Sequence, residues 1–242
     1  PIDVLVIGGT TTEGLGSLPW TGENAYEALV RKHYPKVKVI KASDNHHMGH
    51  VGCTFYNSGF EEAACVVVDG AGTFVPLGEN TIGWELESIF HAEYPANITT
   101  KYKHIGVRGP QLVYEKIQVP HSHRGREDVL HDVIFSDKPG ITKCYEAMTD
   151  YCGFSFIEAG KAMGLAPYGK PNPKIPAIFL GPEQRNLSNR NLFVPNYPNG
   201  AHVDKVANPV LNTDSLEMKK DLAYAVQEAT QAQMVKLILE AI

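Results

Sequence analysis

The run His46-His47-Met48-Gly49-His50 gathers three imidazoles within five residues. On a helix, His46 and His50 lie one turn apart on one face, about 6 Å along the axis. Imidazoles so placed can converge on one ion at about 2.0–2.1 Å. The same spacing also serves two ordinary packed or surface histidines. A zinc-protease reading is weak, because that motif needs a glutamate general base directly after the first histidine. Here that position is His47. An ion held by this run would organise a ligand without driving hydrolysis.

Asp69 is the second candidate. It closes the apolar run Ala63 to Val68 and opens the turn Gly70-Ala71-Gly72-Thr73. Glycines there let backbone approach a phosphate closely, with amides lining an anion nest. A carboxylate at such a strand end can meet a metal that bridges to phosphate oxygens, although the pattern is also an ordinary strand turn. Together with His46 and His50 it makes a facial set of two imidazoles and one carboxylate. That set suits Fe(II), and Zn or Mn would also fit.

The third run is Gly160 to Gly169, GKAMGLAPYG, with three glycines and Lys161. It could shape a phosphate or substrate loop through Lys161, Gly164 and Tyr168, and its periodicity equally describes a helix end and turn. Three glycines forfeit helix propensity of about 1 kcal/mol each, so a second demand on the segment is expected. His121, His123 and His131 have no ligand spacing, sit among charges, and read as solvated.

These groups need elements to carry them. Ile2 to Gly9 reads as a short buried strand ending in a glycine turn. A helix is expected from about Glu23 to Tyr34, stopped by Pro35, then a strand over Val37 to Ile40. That sequence of elements predicts one α/β unit with parallel pairing. Ser43 or Asp44 would cap a helix over about Asn45 to Asn57, with Gly59 past its end. Strands and turns follow: Ala63 to Val68, Glu85 to Glu93, and Ile98 to Ile105. His121 to Asp137 reads as a polar surface excursion, Thr142 to Cys152 as a helix, and Pro167 to Pro209 as a surface loop. Asp214 to Ile242 reads as a long closing helix. A domain boundary is placed near residue 60.

Composition narrows the function. With 242 residues, 43% hydrophobic, the chain can bury a real core. A net charge of −5 argues against nucleic-acid binding through phosphate neutralisation. No apolar run approaches the ~20 residues of a membrane span, and no signal peptide opens the chain. Cys53, Cys65, Cys144 and Cys152 contain no CxxC, so reduced thiols in a cytoplasmic protein are expected. The chain opens on Pro1 and ends inside a helical pattern, which predicts a piece of something longer.

Three ordered stretches resemble the carbamoyltransferase family of nodulation protein U and the cephalosporin and tobramycin carbamoyltransferases. They are Asp44 to Gly72, with the HHxxH helix and VVVDGAG strand; Gly140 to Phe154; and Lys161 to Gly169, close to the family's KxMGLAxYG signature. Leu222 to Val235, with Gln227, is similar to the helix before that family's nucleotide loop.

The resemblance implies an α/β fold of the actin, hexokinase and Hsp70 type (Kae1-like), incomplete here, with a mixed sheet and a long closing helix. Residues 1–60 would end a first α/β lobe, and residues 61–242 would begin the second. It implies biosynthetic O-carbamoyl transfer, from carbamoyl phosphate through carbamoyl-adenylate to an acceptor hydroxyl, dependent on metal and on ATP with Mg. His46, His50 and Asp69 would hold iron, while Gly70, Gly72 and Thr73 would meet phosphate. A YrdC-like domain, a fourth metal ligand and the nucleotide loop are expected beyond Ile242, leaving this chain catalytically incomplete by itself. A tRNA-threonylcarbamoyl relative ranks lower, since that branch has Gly-Gly-Asn at this chain's Asp69 turn. A non-catalytic nucleotide-binding or interaction module is the third reading.

Overall fold

A continuous apolar run forms β1 (Val4–Ile7), which pairs in parallel with β2 (Lys38–Lys41) across α1 (Ala25–His33). This matches the expected α/β unit. The strand is not buried as expected, however: Val4 is 46% and Val6 60% exposed. Among the described residues only one helix, α1, packs on this pair. The computed structural model describes residues 2–7, 25–41, 46–78, 81–108, 115–120, 130–179, 192–196 and 200–242. Gly8, Gly9, Ser43, Asp44, His121 and His123 lie outside these residues.

The main sheet has six strands: β3 (Glu62–Val68), β4 (Phe74–Gly78), β5 (Thr81–Glu93), β6 (Asn97–Arg108), β7 (Glu115–Pro120) and β8 (Leu130–Ser136). Their order is β3-β5-β6-β8-β7, with β4 also on β5. Only β6 and β8 run parallel; the other pairings are antiparallel. The fold is therefore mixed α/β with a mixed sheet. β8 corrects the reading of 121–137 as a surface excursion, since Leu130–Ser136 lies between two strands with Val133 and Ser136 buried.

Period-two alternation in β3 sends its side chains to two different helix layers. Val67, with Cys65 and Ala63, packs with Phe90 and Ala92 of β5 under Val51 and Phe55 of α2 (His46–Ser58). Val66 and Val68 face the opposite side. There they meet Ile89, Ile141 of α3 (Ile141–Tyr151), and Met234 and Leu237 of α5 (Leu216–Ala241). α2 contains Gly49 and Gly52, each costing about 1 kcal/mol of helix propensity. Burial of Val51 and Phe55 offsets this, at roughly 1.5–3 kcal/mol per side chain. Packing, rather than propensity, fixes the helix that carries the histidines.

A third core lies among α3, α4 (Ala159–Leu165), α5 and the short antiparallel pair β9 (Phe193–Pro195) and β10 (Ala201–Val203). Leu192, Phe193, Ala201, Val203 and Leu211 are buried there. The expected surface loop over 167–209 is thus partly core. No helix among the described residues is long and apolar enough to cross a membrane. All four cysteines are free.

β5 carries two carboxylates through the buried middle of the sheet, Glu85 and Glu87, both under 5% exposed. The β5–β6 register shifts between them. Such a bulge re-aims side chains, and the two glutamates serve different neighbours. Glu87 Oε1 accepts the Ile141 amide at 2.6 Å, capping α3, and its Oε2 accepts from His104 Nδ1 at 2.5 Å. His104 Nε2 then accepts from Ser136 Oγ at 2.7 Å, tying β6 to β8. His104→Phe strips a donor from the buried carboxylate and a partner from the serine. It is expected to cost about 1–3 kcal/mol in urea denaturation; an unchanged midpoint would show that the chain of bonds contributes nothing.

Candidate metal centre

Asp69 stands where the chain leaves β3. Its amide still bonds β5, donating to Leu86 O at 2.8 Å. The turn Gly70 to Thr73 then crosses to β4 along Glu85. Gly72 N donates to Glu85 O, Glu85 N to Thr73 O, and Thr73 N to Glu85 Oε2. Close approach accounts for Gly72. A Cβ on Gly72 would lie 2.6 Å from His47 Nε2 and 2.8 Å from Glu85 Cβ. One on Gly70 would lie 2.9 Å from Glu146 Oε1, beside the buried Lys143.

The same turn fastens the histidine helix. Thr73 Oγ1 accepts from His46 N at 3.1 Å, satisfying an amide at the start of α2. The first turn of the helix is therefore docked on the turn that presents Asp69. The registration is direct: His46 Nε2 lies 2.8 Å from Asp69 Oδ2. His50 Nε2 lies 3.0 Å from His46 Nε2 and 3.7 Å from Asp69 Oδ2.

All three ligand atoms fall within 4.8 Å of one another. An ion about 2.1 Å from each would need ligand separations of about 3.0–3.4 Å, for octahedral and tetrahedral angles respectively. The observed edges bracket those values, so shifts of a few tenths of an ångström would complete the set. The side chains of His46 and Asp69 are 21% and 28% exposed and that of His50 is 53%. Coordination positions would stay open on the solvent side. Burial works to raise the Asp69 carboxyl, but the Gly70 amide and the neighbouring imidazoles outweigh it and hold it below the usual range. The carboxylate is thus ionised and ready to act as a ligand at neutral pH.

Two further side chains support this turn. Glu85, 3% exposed, pairs with Lys103 and receives the Thr73 amide. His47 is fully buried, and burial pushes it down to about 4, so it is neutral at pH 7. Neither is evident from motif spacing. The signal that could have found Glu85 is a charged pair inside the apolar run Trp84-Glu85-Leu86-Glu87-Ser88-Ile89-Phe90.

A family model described as carbamoyltransferase N-terminus matches residues 20–241. The chain belongs to that family. Among curated proteins it is similar to an uncharacterized protein, sll1178, of Synechocystis sp. (strain ATCC 27184 / PCC 6803 / Kazusa), at 26% identity over 163 residues. The similarity covers 63% of this chain and 19% of that relative, so the chain spans under a fifth of the relative it matches.

Within this carbamoyltransferase-family chain, Gly70, Gly72 and Thr73 sit directly beside the His46–His50–Asp69 cluster. Lys161, Gly164 and Tyr168 do not join it. α4 and the 3-10 turn Ala166–Tyr168 form a helical end, with Ala162 and Ala166 packed inward. Lys161 is 60% exposed and ion-paired with Glu158, and Tyr168 is 73% exposed. Gly169 is held against α5, where a Cβ would lie 2.1 Å from Lys220 O. That contact explains one glycine of the run by packing.

Proposed function

We propose that this chain supplies the metal-holding part of an O-carbamoyltransferase, within a Kae1-like domain. The observation that carries the reading is the convergence of His46, His50 and Asp69 beside a glycine turn, in a chain of the carbamoyltransferase family. Zn or Mn would suit the donor set, and Fe(II) suits a facial pair of imidazoles with one carboxylate. Bound there, the ion would act as a Lewis acid and template for phosphate oxygens.

The chain's own residues would divide the work. His46 and His50 offer nitrogens from one helix face, and Asp69 offers an oxygen from an independent strand end. Gly70 would bring backbone close to a phosphate of ATP (with Mg) or of the carbamoyl-adenylate, Gly72 lets the turn close on His47 and Glu85, and Thr73 holds the histidine helix in register. In the transfer, the acceptor hydroxyl oxygen bonds the carbamoyl carbon and loses its proton. The bond from that carbon to the adenylate oxygen breaks, and AMP leaves. A YrdC-like partner domain would supply the adenylate from carbamoyl phosphate and ATP. Lys161, Gly164 and Tyr168 would face the cleft from the exposed side of α4.

The test is transfer of labelled carbamoyl from carbamoyl phosphate and ATP to a panel of hydroxyl compounds, with a YrdC-like domain provided. Transfer that stops on chelation and returns with Fe(II), Zn or Mn supports the reading. Transfer indifferent to chelation and to His46→Ala would remove the metal from it. Nucleotide binding without transfer would favour a non-catalytic binding module.

A further inference from the structure

The geometry points to His47 as a positioning residue, whose Nε2–H holds the Asp69 carboxylate in its metal-binding orientation. This rests on the metal reading above, and assigns a role to the one histidine of the HHxxH run that cannot itself reach an open coordination site.

His47 is 0% exposed, and its two ring nitrogens have different surroundings. Nδ1 lies 2.7 Å from Ser88 Oγ on β5, and Ser88 is itself fully buried. Nε2 is buried and has no hydrogen-bond partner among the described residues. Buried polar atoms are paired in the great majority of cases, so an orphan calls for an explanation. Two carboxylates act on the ring, those of Glu85 and Asp69; Glu85 is engaged by Lys103 and the Thr73 amide, while Asp69 Oδ2 lies 3.9 Å from Nε2.

The tautomer follows from electrostatics. If Nδ1 carried the proton, a bare Nε2 lone pair would face an ionised carboxylate. If Ser88 Oγ–H donates to Nδ1, the proton sits on Nε2 and points at that carboxylate. The second arrangement is favoured, and the hydrogen bond at one ring nitrogen sets the state of the other.

The 3.9 Å gap has a cause. Asp69 Oδ2 is taken by His46 Nε2 at 2.8 Å. That nitrogen cannot donate to Asp69 and ligate an ion at once. Coordination of an ion by His46 would give up that bond, and a carboxylate freed from it has roughly 0.7 Å to cover, shared with the ring, to come within hydrogen-bond range of His47. Ligating carboxylates are themselves hydrogen-bonded by outer partners. Gly72 keeps the space beside the ring clear, since a Cβ there would lie 2.6 Å from Nε2 and 2.7 Å from Cδ2.

The experiment is a Zn(II) and Co(II) titration of wild type, His47→Phe, His47→Gln and Ser88→Ala, with the Co(II) visible band recorded. His47→Phe fills the site without a donor, and is expected to weaken binding about 10–100-fold; its metal-free melting temperature should also fall, because buried Ser88 Oγ loses its partner, so affinity is read on protein shown to be folded. His47→Gln can place an amide N–H near Nε2 and should recover most of the affinity. Ser88→Ala leaves the ring but frees its tautomer, so it should weaken binding less and shift the Co(II) band. Wild-type affinity in a folded His47→Phe overturns the inference and leaves the metal site standing. Should His47→Phe not fold, an unaltered affinity and Co(II) band in Ser88→Ala overturn it instead. Absence of binding in the wild type overturns the metal reading and this inference together.

Discussion

Asp69→Ala is expected to lower divalent-cation affinity on the order of 100-fold. Four-ligand structural zinc sites bind with apparent energies of about 10–16 kcal/mol, so one ligand of such a set contributes roughly 3–4 kcal/mol. Partial exposure of Asp69 and His50 reduces that share. Two decades correspond to about 2.7 kcal/mol, which is what remains after the reduction. The loss should be specific, because Asp69 belongs to the turn and to none of the buried clusters. Asp69→Asn keeps the shape and can still accept the Gly70 amide, but lacks the charge, and should fall between wild type and alanine. Calorimetric titration with Zn(II) or Mn(II) reads these effects. An Asp69→Ala protein that binds as tightly as wild type would show that the three groups meet for another reason.

The pieces of this site differed in how readable they were, and the difference is one of range. The His46–His50 spacing is a local property of one helix, and Asp69 closes one apolar strand before a glycine turn. Each could be located from a few adjacent residues. β8 was missed because Leu130-His131-Asp132-Val133 mixes apolar and polar residues, and its parallel partner β6 is distant in sequence. The buried anchors Leu192, Phe193 and Leu211 lie in apolar runs of two or three residues flanked by Pro and Asn, too short to show a period. The expected caps Ser43 and Asp44 lie outside the described residues; the His46 amide at the start of α2 is bonded by Thr73, twenty-seven positions away, which no local window could show. Polar side chains that act inside a core are the hardest to foresee, because their partners come from other strands. Glu85, Glu87, Lys103 and His104 depend on the β5–β6 register and its bulge, and no short window contains that information.

Lys103→Met is expected to destabilise the fold by about 3–5 kcal/mol, the cost of leaving a buried charge without its partner. Glu85 is 3% exposed, and its described partners are Lys103, the Thr73 amide and the backbone of the turn. Methionine preserves an unbranched apolar side chain, so packing changes less than charge; what it removes is the ammonium, which also lies 5.8 Å from the Phe90 ring centroid. The sign of the pH dependence separates this account from a simple packing loss. In wild type, burial pushes Glu85 up, but the charge and hydrogen bond of Lys103, with lesser help from His47 and the Thr73 amide, bring it below the usual carboxylate value. A depressed carboxylate contributes stability that is present above its unfolded pKa of about 4.5 and is lost as pH falls through the folded value. Without Lys103, burial prevails, since a neutral His47 offers no charge at pH 7. The folded pKa then lies above the unfolded one, and the contribution reverses: it is present at low pH and lost as pH rises. The destabilisation relative to wild type should therefore be largest at pH 7 and shrink toward pH 4. Urea denaturation of both proteins across that range reads the difference directly. A deficit equal at pH 7 and pH 4 would mean that Lys103 acts through its contacts alone. The metal turn should follow the same trend: Thr73 N bonds to Glu85 Oε2 while Thr73 Oγ1 receives the first amide of the histidine helix. Loosening Glu85 at pH 7 thus frees both sides of the cluster, and cation affinity of the variant should fall with its stability.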